Sequence, residues 1–316
     1  MEDLIDFTED DRVVGKTYLG NAGTKRGYLH DGNVWMVKFP QSTRSFKGKH
    51  LPSYTSSPIS EYIGSKIYEL AGIPVHETVL ARYENKIVVG CKDFTANGAD
   101  LSTFHGIKNT VDEELIEGSF GSDSRGERLS DVLRVIENAA DFEGLREKAY
   151  ERFWDMFVVD AFIRNNDRNN GNWGILSTRY TKDLAPVFDN GNAFFAKRNA
   201  SLAEQRLADQ ALIEEDIKTG VSFFTDDNDK HIHALDYIAS MQNPECNAAL
   251  LRFAENINMA EVRTLIESIP EEAFGLEVLS ASQKKFYIEL LETTYEERFK
   301  PAIEELKMRE RNKNQG

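Results

Sequence analysis

Asp167, Asn172 and Asp189 are the residues of this chain whose types and spacing could do chemistry. Asp167 and Asn172 lie five residues apart in the polar run Arg164-Asn165-Asn166-Asp167-Arg168-Asn169-Asn170-Gly171-Asn172. Apolar sequence flanks that run on both sides, ending in Ala161-Phe162-Ile163 before it and resuming at Trp173. A second short apolar run, Leu184 to Phe188, ends on Asp189, followed by Asn190-Gly191. An amide oxygen and a carboxylate on neighbouring chains can share a magnesium ion, which takes oxygen ligands at about 2.1 Å and keeps water and phosphate oxygens as the others. A further carboxylate beside them can orient or deprotonate an attacking hydroxyl. This is the division of labour of magnesium-dependent phosphoryl transfer. Asn, Asp and Gly are also the commonest turn residues, so a loop rich in them is more often only a loop. The apolar flanks and the second acid shift the balance toward a site.

The elements around these residues must then position them. Residues 145–164 have apolar side chains at Ala149, Tyr150, Phe153, Trp154, Phe157, Val158, Ala161 and Phe162. This spacing predicts a helix, apolar nearly all round at its end, that delivers the Asp167 loop from the interior. Asp160 sits among those apolar residues and is expected to be buried and hydrogen-bonded to the loop. Trp173–Ser177 and Leu184–Phe188 read as two short strands joined by the polar turn 178–183. Paired antiparallel, they would set Trp173 opposite Phe188. Asn172 and Asp189 would then flank the open end on chains roughly 5 Å apart.

Residues 1–94 read as a small mixed lobe. Strands are expected at Val13–Leu19, Gly27–His30, Val34–Phe39, Glu77–Tyr83 and Lys86–Phe94, with Asp31-Gly32-Asn33 as a hairpin turn. A helix, Glu61–Ala71, follows Ser60 as its N-cap. A lone strand lysine usually points to solvent. Alternation nevertheless places Lys38 on the face opposite Val37 and Phe39, where it would meet phosphates if that face lines a cleft. Glu61 is either its ion-pair partner or a helix N-terminal carboxylate favoured by the dipole. The turn Tyr18–Gly27 is no Walker loop, because no Gly-Lys-Ser/Thr opens a helix. It is either an ordinary hairpin loop or a cover for phosphates. Beyond residue 94, helices are expected at 111–117, 127–140, 145–164, 201–217, 246–254, 258–268 and about 281–310.

In these segments the chain resembles the HipA-like serine/threonine kinases, especially the short, CtkA-like members. The resemblance rests on Asn165 to Gly174, Leu184-Ala185-Pro186-Val187-Phe188-Asp189, Val34 to Pro40 and Ile59-Ser60-Glu61-Tyr62, in that family's order and spacing over about residues 15–195. It implies an α+β, two-lobed protein-kinase-like fold, with a β-rich N-lobe (1–94) and a larger helical C-lobe (95–316). It implies ATP and Mg²⁺ as cofactors, a protein Ser or Thr hydroxyl as acceptor, and autophosphorylation. By the same resemblance Asp167 is the catalytic base, Asn172 and Asp189 hold magnesium, and Lys38 binds phosphate, with Glu61 as its supporting partner. Gly23, Thr24 and Lys25 would lie nearest the phosphates, 41–58 would be a regulatory loop, and Lys92-Asp93-Phe94 would be the hinge that meets adenine. The family's nucleotide-contacting His is replaced here by Asn169, which can donate and accept hydrogen bonds but cannot carry charge.

Composition narrows the alternatives. The formal net charge is −15 and the pI about 5.0, a surface that phosphate backbones repel, so general nucleic-acid binding is disfavoured. Apolar runs fall short of the roughly 20 residues of a membrane span, and the acidic start does not read as a secretory signal. Cys91 and Cys246 make neither a disulfide framework nor a zinc site, and the cytoplasm is the expected location. Asp227, Asp229, His231 and His233 read as a solvated loop. Ser119, Ser122 and Ser124 are candidate phosphosites only by their place in a Gly/Ser loop. Two other readings of the site remain open: a small-molecule kinase, and a nucleotide-binding pseudokinase acting as an interaction module.

Overall fold

A computed structural model describes residues 4–14, 16, 18, 24–45, 55–111 and 126–313. Its first layer grows from two tight hairpins. β3 (Lys25–His30) and β4 (Asn33–Lys38) pair antiparallel with His30 opposite Asn33. The two-residue turn between them has Asp31 and Gly32 at φ 47° and 73°. Positive φ at both positions is what a type I′ turn requires, and Asp-Gly supplies it with little strain. β5 (Thr78–Tyr83) and β6 (Lys86–Lys92) form the second hairpin. With β1 (Ile5–Asp6) and β2 (Asp11–Arg12) they make a six-stranded sheet in the order β1-β5-β6-β4-β3-β2. One face buries a small core of Phe7, Tyr28, Trp35, Val37, Ala81 and Val88. Gly90 belongs to that face because a Cβ there would stand 2.9 Å from the Phe7 ring.

The expected strand at Val13–Leu19 is not formed over its described residues. β2 stops at Arg12, and Val13 still donates its N–H to Gly27 at 2.9 Å. Val14 is 90 % exposed, and Lys16 and Tyr18 turn instead to the Asp93 carboxylate. Those side-chain contacts pull the segment off the sheet edge.

Helix α1 (Ser57–Leu70) crosses the other face of the sheet. It starts one turn earlier than the sequence suggests. Ser56 is the N-cap position, Pro58 occupies the first turn, and Ser60 lies buried inside the helix with its N–H on the Ser56 carbonyl. Proline at the first helical positions loses no intrahelical bond and presets φ, so it outcompetes Ser60 as the start signal. α1 brings Ile59, Ile63, Ile67 and Tyr68 into the larger apolar core, shared with the helices of the second layer.

That second layer is built on α4 (Arg146–Ile163), whose last two turns are buried on all sides. Around it lie α2 (Phe104–Lys108), α3 (Leu129–Asn138), α5 (Ala200–Leu207), α6 (Gln210–Lys218), α7 (Ala234–Ser240), α8 (Pro244–Asn256), α9 (Met259–Ser268), α10 (Ala281–Thr294) and α11 (Lys300–Lys313). The run expected at 281–310 contains a π-turn at Tyr295–Phe299. Pro301 comes at once after it, has no N–H for the helical ladder, and is accommodated by the widened turn. The expected helix 127–140 opens instead with β8 (Glu127–Arg128), paired to β11 (Phe224–Thr225). Residues 112–117 of the expected helix 111–117, and Ser119, Ser122 and Ser124, lie outside the described residues.

A small sheet beside α4 carries the rest of the site. β9 (Gly174–Ser177) pairs with β10 (Lys182–Leu184) and with β7 (Asp100–Thr103). The hairpin register differs from the expected one. Leu184 lies opposite Ile175 and the Ala185 N–H bonds to the Gly174 carbonyl, so Phe188 is not the partner of Trp173. Pro186 has no N–H to continue that ladder. The chain instead turns to run beside 74–76, through Val187 N–H to Pro74 O at 2.9 Å and His76 N–H to Val187 O at 3.0 Å.

Candidate active site

The polar run begins where α4 ends. Arg164 takes the left-handed conformation at the C-cap, φ 61°, and the Asn165 N–H returns to the Asp160 carbonyl at 2.9 Å. The Asp160 carboxylate, one turn back inside the core, organises the loop. It accepts from Tyr68 Oη at 2.8 Å, Asn165 Nδ2 at 3.0 Å, and Arg168 Nε and Nη2 at 2.8 and 2.9 Å. Arg168 is 2 % exposed. Burial opposes its charge, but the Asp160 carboxylate outweighs burial and holds the guanidinium well above its usual range. Its Nη1 donates to the carbonyls of both Asn172 and Phe188, and its Nη2 to Asn190 Oδ1. One side chain thereby ties the backbone at Asn172 to the backbone at Asp189, which the strand register does not do. On the outer side, Asn170 donates to Glu127 at 2.6 Å, and Glu127 is held by the buried Lys108 at 2.7 Å.

A charge cluster sits between the two layers. Lys38 Nζ donates to Glu61 Oε2 at 2.8 Å and to Asp189 Oδ1 at 2.9 Å. Lys25, directly opposite Lys38 in the β3–β4 ladder, has its amine 3.6 Å from Asp189 Oδ2. Burial disfavours the Lys38 charge, yet Asp189 and then Glu61 overcome it and raise its pKa. Burial likewise pushes Asp189 up, but Lys38 and Lys25 win, and its carboxyl is held below the usual range. Glu61 is lowered for the same reason, chiefly by Lys38 and then His76 against burial. Its other oxygen, Oε1, lies 2.9 Å from His76 Nε2 and accepts the Asn190 N–H at 3.0 Å. Asn190 also donates to Ser65 on α1 at 3.0 Å. Gly64 permits this approach, since a Cβ there would stand 2.9 Å from the Asn190 Cβ. Asp189 itself has φ 64°, a conformation that Asp tolerates better than most residues.

Asp167 is exposed to solvent at the rim of the site, although protein packs densely around its carboxyl. Burial pushes its carboxyl above the usual range, and Asp189 adds to the effect against a hydrogen bond from Asn169. Asn169 Nδ2 lies 3.2 Å from Asp167 Oδ1, and Asn169 Oδ1 accepts the Gly171 N–H at 2.9 Å. Asn172 donates its amide N–H to the Asp167 carbonyl at 2.8 Å, which leaves its Oδ1 as the ligand-type atom.

Lys38, Lys25, Glu61 and Asp189 are thus brought into direct contact, with Asp167, Asn169 and Asn172 joined to one another and to Asp189 through Arg168. Lys92 turns its side chain away from this cluster. It pairs with Trp35, and alternation puts its side chain on the face opposite Lys38, where its amine meets Glu77 at 2.9 Å. Only its backbone is left for a hinge role. Phe94 packs against Phe188, ring centroids 5.7 Å apart, next to Asp189. Thr24 is exposed and its carbonyl accepts the Phe39 N–H, while Gly23 lies outside the described residues. Arg168 escapes a reading of the sequence alone. The signal for it is Asp160: a buried acid in an apolar helix needs a counter-charge, and Arg168 is the cation of the adjoining loop.

Known proteins resemble the chain over most of its length. The family model for the HipA-like C-terminal domain matches residues 15–260. The serine/threonine-protein kinase CtkA of Helicobacter pylori is 36 % identical over 269 residues, covering 84 % of this chain and 79 % of that protein. The crystal structure of the H. pylori proinflammatory kinase CtkA superposes with a TM-score of 0.83 at 31 % identity, covering 96 % of this chain and 98 % of that one. Family model, sequence and fold agree: this chain belongs to the HipA-like kinases, on the CtkA branch of that fold.

Proposed function

We propose that this HipA-like serine/threonine kinase transfers the γ-phosphate of ATP to a Ser or Thr hydroxyl of a protein, with Mg²⁺ as the cofactor. The observation that carries the reading is the Lys38 amine held between Glu61 and Asp189, with the raised Asp167 carboxylate on the adjoining loop. Lys38 and Lys25 present two cations to phosphate oxygens. Asp167, on the loop that follows α4, accepts the proton of the attacking hydroxyl. Asn169 orients that carboxylate, and Phe94 with the Lys92-Asp93 backbone borders the adenine end. Asn172 Oδ1 and the Asp189 carboxylate fit magnesium by donor type: all oxygen, one of them charged. When bound, the ion would neutralise charge on the transferring phosphoryl group.

Residues 1–94 are read as the phosphate-binding lobe and 95–316 as the lobe with the catalytic loop and metal ligands, because the six-stranded sheet ends at Lys92. The two cysteines are buried and free, which fits a reducing cytoplasm. Among the described residues no helix is long and apolar enough to cross a membrane. Incubation with γ-labelled ATP, Mg²⁺ and a protein pool, beside Asp167→Asn and a chelated control, tests the reading. Label on Ser or Thr in the wild type alone supports it. Equal label in Asp167→Asn, or label on small molecules only, overturns it.

A further inference from the structure

A cavity of about 320 Å³ lies beside the first half of the catalytic loop, with Arg164, Asn166, Asn192, Lys197, Arg198 and Gly220 in its walls. Lys38, Glu61 and Asp189 take no part in it. Its volume is at the small end of ligand pockets, about 300–1,000 Å³, which suits one side chain rather than a nucleotide. Asn192 donates to Asn166, closing the wall between the catalytic loop and the segment after Asp189.

The walls are cationic in a chain whose net charge is −15. The Asp216 carboxylate beside the cavity is taken in a bidentate grip by Arg198, with Arg206 3.6 Å away. Among the described residues the Arg164 guanidinium donates to the Asp216 carbonyl and packs over the Phe195 ring. Burial lowers its pKa to about 10, opposed by Asp216 and reinforced by Arg198 and Arg298. Two features show that this guanidinium is retained at a cost. Arg164 occupies a left-handed position that Gly or Asn fills more readily. Its guanidinium also lies so close over Gly220 that a methyl group there would overlap it. Backbone strain that a sequence keeps is a pointer to function, and a guanidinium in a concave site is suited to phosphate and carboxylate.

We propose that this cavity receives an anionic side chain, phosphorylated or carboxylate, of the polypeptide presented to Asp167, and so selects the substrate. The presentation to Asp167 rests on the kinase reading above; the anion site does not. The test uses the full chain and N-acetyl amides of phosphoserine, glutamate and serine, titrated by ligand-observed NMR into wild type, Arg164→Asn, Gly220→Ala and Lys38→Met. Arg164→Asn keeps a residue that accepts the left-handed conformation, and Gly220→Ala displaces the guanidinium without removing its charge. The expected result is binding of the anionic probes to wild type and Lys38→Met alike, and about tenfold weaker binding to the other two variants. Binding of phosphoserine alone assigns a previously phosphorylated substrate, and binding of both probes assigns an acidic one as well. Unchanged binding in Arg164→Asn, or loss confined to Lys38→Met, overturns the proposal.

Transfer assays form a second arm, with peptides carrying phosphoserine, aspartate or alanine beside the acceptor serine. A preference for the anionic peptides in wild type that disappears in Arg164→Asn is expected, and one that survives overturns the substrate role. Probes bound at the cavity without any transfer by wild type would sink the kinase reading and leave the anion site standing.

Discussion

The Asp160–Arg168 pair offers the sharpest test of how the site is held. Arg168 makes two bonds to the Asp160 carboxylate and donates to two carbonyls and the Asn190 amide, all in the interior. Removing one partner of a buried ion pair leaves an uncompensated charge and costs about 3–5 kcal/mol. Arg168→Met strands Asp160, which keeps only Tyr68 and Asn165 as donors. Asp160→Asn strands a guanidinium beside its own carbonyl ligands. The double variant strands neither charge, so its loss should be far less than the sum, with a coupling energy of about 2 kcal/mol or more. Urea unfolding followed by tryptophan fluorescence reads all four corners of the cycle, with Trp173 adjacent to Asn172 as a local reporter. Additive losses, or single losses below about 1 kcal/mol, would refute the claim that one buried pair fastens Asn172 to Asp189. The double variant should also recover stability without recovering transfer, because Met cannot hold the Asn172 and Phe188 carbonyls.

The same geometry sets other expectations. Asp167→Asn should raise the Tm at neutral pH. A carboxyl raised in the fold gives its stability only below its unfolded pKa and loses it as pH rises, so the gain should vanish on acidification below the ordinary carboxylate range. Glu61 and Asp189, both lowered, act with the opposite sign. Their contribution is full above that range and is lost as pH falls through their folded values, so wild type should lose stability in acid and Asp189→Asn should show a shallower loss. Lys38→Met should cost about 3 kcal/mol in denaturant, because Glu61 and Asp189 then face each other without their shared cation, and a stability within error of wild type would contradict the cluster. Gly64→Ala should cost about 1–3 kcal/mol by pushing Asn190 off α1, and should reduce transfer by more than it reduces nucleotide-induced stabilisation.

Much of the fold and site is legible in the residues. Asp31-Gly32 announces its hairpin because few other pairs accept positive φ twice. The Asp167 and Asp189 loops stand out because apolar runs deliver them, and Asp160 is conspicuous as an acid among Val158, Val159 and Phe162. The features that escape depend on partners far away in sequence. The face of Lys92 is set by its pairing with Trp35, a register that the strand's own composition does not contain. The β9–β10 register is offset by two from the turn onward, with Lys182 opposite Ser177, and the ladder stops before Phe188 because Pro186 has no N–H to continue it. β1 and β7 are too short to show periodicity, and both exist through pairing with strands far along the chain, β5 and β9. Arg168 looks like any polar loop residue until Asp160 and two carbonyls are seen to converge on it.

The separation of the charge cluster along the chain has a consequence for synthesis. Lys38 and Glu61 are 23 residues apart, but Lys38 and Asp189 are separated by 151. At translation rates of about 5–20 residues per second, Asp189 emerges roughly 10–30 s after Lys38. During that interval the nascent sheet and α1 hold a lysine–glutamate pair without the Asp189 carboxylate that completes the cluster. Premature termination anywhere before residue 167 therefore leaves a fragment without Asp167, Asn172 or Asp189, and the charge cluster closes only once the two halves of the chain have met.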